Sequence, residues 1–104
     1  MGRWATRRVR GGGPPPVVAL IYMLEAQRVA NDELQILYNR DITFVPFQPN
    51  DFTTSPDARV GMTIVDQLAD TLTIQFSNEI LTQNLLTFVG MTTNVYSPQT
   101  IVIT

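Results

Sequence analysis

Two stretches 38 positions apart carry one pattern and set what the chain can fold into. Asp32–Ile42 reads DELQILYNRDI and Asp70–Ile80 reads DTLTIQFSNEI. Aligned, they share Asp32/Asp70, Leu34/Leu72, Ile36/Ile74 and Ile42/Ile80, while Tyr38/Phe76 and Asp41/Glu79 match in kind. Each middle alternates apolar and polar residues, Leu-x-Ile-x-Tyr and Leu-x-Ile-x-Phe. Period two is the mark of a strand with one buried face. The expectation is that the two copies lie back to back as opposing walls of one small interior.

Composition limits the chemistry. The chain has 104 residues, so one domain at most, with 44% apolar residues to build a core. Cys and His are absent, and every basic side chain is Arg. Disulfides, thiolate metal sites, a histidine base and a lysine nucleophile are therefore excluded. Of the nine acids, Asp51 with Asp57 and Asp66 with Asp70 flank loops, but neither pair has the dense oxygen spacing of a calcium loop. They read as solvated turn residues. No cofactor, metal or catalytic group is expected, and the chain reads as a non-enzyme.

Charge is distributed unevenly. Residues 1–16 hold Arg3, Arg7, Arg8 and Arg10 and no acid, a charge of +4. Residues 17–104 hold three arginines against nine acids, 3 − 9 = −6. The chain divides into a basic arm and linker over 1–16 and an acidic body over 17–104. Arg3, Trp4, Arg7, Arg8 and Arg10 are the candidate partner-binding residues: Trp4 as an anchor, the arginines for carboxylates or phosphates. Gly11–Gly13 and Pro14–Pro16 form the connector, flexible and then stiff. The triple glycine is no phosphate loop, because no strand precedes it and no Gly-Lys-Ser/Thr follows. An arginine start before the apolar Val17–Leu24 run has the outline of a secretory signal, but the Gly/Pro block separates the two, and a cleaved signal is not expected. No run approaches the roughly 18 apolar residues of a membrane span.

Along the body, Val17–Val29 reads as a first strand, with a short helix as competitor because MLEAQRVA suits a helical turn. Asn31-Asp32 turns the chain into Glu33–Asn39. Thr43–Val45 is expected to be a short edge strand, followed by a polar loop over Gln48–Asp57 tethered by Phe52. Arg59–Leu68, Thr71–Phe76, Leu85–Val89 and Gln99–Thr104 complete about seven strands, the spacing of an all-β sandwich. The expected core is Leu34, Ile36, Tyr38, Val60, Met62, Ile64, Leu72, Ile74, Phe76, Phe88 and Ile101, with Met23 and Met91 also packing inside. Ile101, Val102 and Ile103 carry no charge to blunt them, and would offer an edge-strand contact if their strand ends a sheet.

NDELQILYNRDI and ADTLTIQFSNEI, with NDFTTS between them, resemble the strands of bacterial Ig-like modules. A single module with an extended arm is similar to the small structural proteins of tailed bacteriophages. The resemblance implies a single Ig-like antiparallel β-sandwich over 17–104. It implies a virion decoration, cement or tail-associated subunit whose arm grips neighbouring capsid or tail subunits in a homo-oligomer or symmetric array. A membrane partner is not expected. Nucleic acid is disfavoured, because the −6 body opposes the arm's attraction to phosphates. The alternative is a secreted or cell-surface adhesion or carbohydrate-binding module.

Overall fold

The computed structural model describes residues 20–104. They form seven strands and one 3-10 turn: β1 (Met23–Ala30), β2 (Glu33–Tyr38), η1 (Pro49–Asp51), β3 (Phe52–Ser55), β4 (Gly61–Leu68), β5 (Thr71–Phe76), β6 (Leu85–Phe88) and β7 (Gln99–Val102). One sheet has the order β1-β2-β5-β4 and the other β3-β6-β7, and all their strand pairs are antiparallel. This is the order of a constant-type immunoglobulin sandwich, four strands facing three. The basic arm, with Arg3, Trp4, Arg7, Arg8 and Arg10, lies outside the described residues.

The twin segments are neighbours in one sheet, not opposing walls. Leu34 pairs with Ile74 and Ile36 with Leu72. In that register the apolar sets of β2 and β5 share one face, so the repeat builds a single wall. The opposite wall comes from Phe52, Leu86 and Phe88, with Ile101 packed against them. Tyr38, Phe47, Phe52 and Phe88 fill the space between the walls, with ring centroids 4.9–6.1 Å apart. Such spacings lie within the favourable range for aromatic pairs.

β1 and β4 depart from strict alternation for the same reason. In β1, Met23 and Ala26 both point inward, three residues apart, because the register shifts between Met23 and Glu25. In β4, shifts between Gly61 and Thr63 and between Ile64 and Asp66 bring Gly61, Ile64 and Gln67 opposite the inward residues of β5. Each bulge adds one unpaired residue, so an inward residue recurs every third position. Val60 and Met62 are therefore exposed rather than core. The helix-like spacing of MLEAQRVA comes from a bulged strand. Gly61 is needed where it stands, since a β-carbon there would overlap the Pro49 carbonyl.

Two further expectations are corrected. Thr43–Val45 is loop, and the third strand is Phe52–Ser55, within the stretch read as a polar loop. Thr54 supports it from inside: its hydroxyl donates to Asp57 O at 2.6 Å and accepts from Arg59 N at 3.0 Å. Met91 is solvent-exposed, whereas Met23 is buried.

The sheets are joined along one side. Ile103 and Thr104 run parallel to β1, with Thr104 N donating to Ala26 O and Arg28 N donating to Thr104 O, both at 2.9 Å. The Gln99 side-chain amide completes the seam. Its Oε1 accepts from Met23 N and its Nε2 donates to Met23 O, each at 2.8 Å.

Ile36→Ala, at a fully buried position, is expected to cost about 2–5 kcal/mol in a denaturant titration. Met62→Ala is expected to fall within about 0.5 kcal/mol of wild type. Tyr38 supplies a second prediction, because its buried hydroxyl has no hydrogen-bond partner among the described residues. Tyr38→Phe removes an unsatisfied group and is expected to leave stability equal or raised by about 1 kcal/mol. Burial pushes the phenol's pKa upward from 10.0. The contribution of Tyr38 is therefore complete below pH 10 and is lost as pH rises above it, since unfolding releases the proton. Urea midpoints at pH 8 and above pH 10 should fall less for Tyr38→Phe than for wild type.

Candidate partner interface

Three connections meet at one end of the sandwich: Asn39–Gln48 after β2, the Ala69–Asp70 turn after β4, and Val89–Pro98 after β6. Hydrogen bonds tie the first two to each other. Ile42 N donates to Ala69 O at 2.7 Å, and Ala69 N donates to Thr43 Oγ1 at 3.0 Å. Gln67 Nε2 reaches both Ile42 O and Val45 O at 2.6 Å. Thr43 N and Oγ1 both donate to Asp41, which holds that carboxyl's pKa below its ordinary value. Ala69 is left-handed at φ 56°, a conformation that costs a residue bearing a β-carbon about 1 kcal/mol. The turn therefore holds a strained residue in place with bonds from the neighbouring loop.

The chain enters the fold at this same end. Ile21 N donates to Asn94 O and Tyr96 N to Ile21 O, both at 2.8 Å. Asn39 clasps the segment from the other side. Its Oδ1 accepts from Tyr22 N at 2.8 Å and its Nδ2 donates to Leu20 O at 3.0 Å. Whatever residues 1–19 do, they start from a root fixed between two loops.

This end presents apolar side chains to solvent. Phe44 is 95% exposed and Met91 99% exposed, on loops held by the bonds described above. Leu20, Leu68, Val89 and Tyr96 are also exposed there. Scattered surface apolar residues need no explanation, but several together at one end mark an interaction surface. Beside them lies an open cleft of about 620 Å³, lined by residues that include Asp51, Gly90 and Met91. Gly90 keeps its wall thin: a β-carbon there would come within 2.6 Å of Asp51 Oδ2 and 2.8 Å of the Phe88 ring.

The sequence did not single out Phe44 or Met91, which looked like strand and core residues. The available signal was their setting: Phe44 lies two residues before Pro46, and Met91 follows Gly90 and precedes Thr-Thr-Asn. Ile101, Val102 and Ile103 lie at the other edge. Ile103 is buried and pairs with β1, Ile101 is half-buried against the core, and Val102 is exposed. Among the described residues, no group of three or more carboxylates could hold a metal ion, and no helix is long and apolar enough to cross a membrane. No family model, curated protein or solved structure matches the chain.

Phe44→Ser and Met91→Ser are expected to move stability by no more than about 0.5 kcal/mol, read as thermal midpoints. Gly90→Ala should cost about 1–3 kcal/mol by forcing Asp51 and the Phe88 ring apart.

Proposed function

We propose that the chain is a non-enzymatic, Ig-like structural subunit of a tailed-phage virion, attached to neighbouring subunits by its basic arm and by the loop end from which that arm leaves. The single observation that carries the docking half is the placement of the root. Leu20–Tyr22 emerges between Asn39 and Val95, at the end where Phe44 and Met91 stand almost fully exposed. An arm and an apolar loop end that share an origin can engage one neighbour together, and the second contact is then intramolecular. The rigid loops favour this, because little conformational freedom remains to be lost on docking. The non-enzymatic half is supported by the lack of His, Cys and Lys. The virion setting rests on the similarity of a single Ig-like module with an extended arm to the small structural proteins of tailed bacteriophages.

Removing residues 1–13 is expected to leave a folded sandwich that no longer joins particles, and Phe44→Ser with Met91→Ser should lower occupancy of the full chain. Quantitative gel analysis of purified particles reads both. Equal occupancy of truncated and full-length chains would refute the proposal.

A further inference from the structure

We infer that the arm of one copy adds as a strand to the β4 edge of a second copy, with Arg3–Arg10 as the inserted segment; this rests on the arm-mediated docking proposed above and names its acceptor. Among the described residues, β4 has β5 on one side and no strand on the other. Its start is occupied, since Val60 bridges Thr53 and Gly61 lies beneath the Pro49 carbonyl. Among the described residues, Met62–Leu68 pairs as a strand only with β5. An unpaired strand edge offers main-chain donors and acceptors to an extended peptide, and side chains along it set which peptide fits.

Those side chains are apolar and acidic. Met62 is 61% exposed, Val65 50% and Leu68 62%, with Asp66 among them and Asp70 just beyond. No Lys, Arg or Pro guards the strand. The arm is the complement: in an extended segment Trp4, Arg8 and Arg10 share one face, Trp4 for the apolar strip and the two arginines for Asp66 and Asp70. Lengths agree as well. Eight extended residues span about 27 Å, against roughly 24 Å for the seven open residues of β4. A second β4 fits less well, because it would bring Asp66 and no basic side chain to an acidic edge.

Topology favours a different molecule as acceptor. The root of the arm lies beside β1, and β1 and β4 are opposite edges of the same sheet. Insertion into the subunit's own β4 requires the connector to turn back around the end of the sheet. Three consecutive prolines stiffen the part of the connector nearest the root and leave such a turn to Gly11–Gly13 alone. Donor and acceptor on opposite edges make a head-to-tail contact, which propagates into a ring or a filament.

The test uses the full chain, which has no native Cys. Unlabelled Ala5→Cys protein carrying a nitroxide is mixed with 15N-labelled wild type, so that broadening reports only contacts between molecules. Broadening confined to Met62–Leu68 and the adjoining β5 residues is expected, and a Met62→Arg or Asp66→Arg acceptor should need about tenfold more partner to reach it. Unchanged circular dichroism of both variants excludes misfolding. Broadening centred on Phe44 and Met91 instead overturns the β4 assignment and leaves arm-mediated docking intact. Broadening seen only when nitroxide and 15N share one chain overturns both. No broadening in either sample rules out a second copy as acceptor, and particle occupancy of the arm deletion then decides the docking proposal alone.

Discussion

The pairing of β2 with β5 is the contact on which the rest of the sandwich depends. Leu34, Ile36, Leu72 and Ile74 are all fully buried, and the register Leu34–Ile74 and Ile36–Leu72 sets them side by side. A one-residue slip would turn the whole set to solvent. With the wall fixed, Phe52, Leu86 and Phe88 have a surface to pack on, and the rings of Tyr38 and Phe47 fill the end beneath the loops. No disulfide pins the two sheets, since the chain contains no Cys. Packing and the seam between β1 and β7 do that work.

Much of this was legible in the residues. Leu34, Ile36 and Tyr38 in β2 and Leu72, Ile74 and Phe76 in β5 recur at every second position, and both strands stand where that period puts them, within a residue. The all-β class and the strand count follow from the same pattern. Legibility failed where a bulge or a tertiary contact changes the rule. Val60, Met62 and Ile64 alternate perfectly, yet the bulge at Met62 turns two of the three outward. Phe52–Ser55 contains two threonines and a serine and looks like loop; pairing with β6 makes it a strand. Whether two similar strands face or flank each other is set by long-range pairing, which a repeat in sequence does not encode.

The candidate interface was legible only in half. The basic charge of residues 1–16 is read from composition alone, and those residues lie outside the described structure. That their root lies among exposed loop residues depends on Asn39 and Tyr96, separated from Leu20–Tyr22 by up to 76 positions. Phe44 and Met91 look like core in a list of residue types, and become surface only once their loops are held by hydrogen bonds rather than by burial. The same physics separates the two parts of the molecule. A rigid, acidic body presents a fixed surface, and the chain enters it at one end between two loops.

Native-state hydrogen exchange tests the central claim, a single interior closed by both sheets, most directly. If the account holds, the amides of Leu34, Ile36, Leu72 and Ile74 exchange only through global unfolding, and those of Leu86 and Phe88 share the same opening free energy. Exchange of β2 and β5 through an opening that leaves β6 protected would contradict it, because the two walls would then be separate cooperative units.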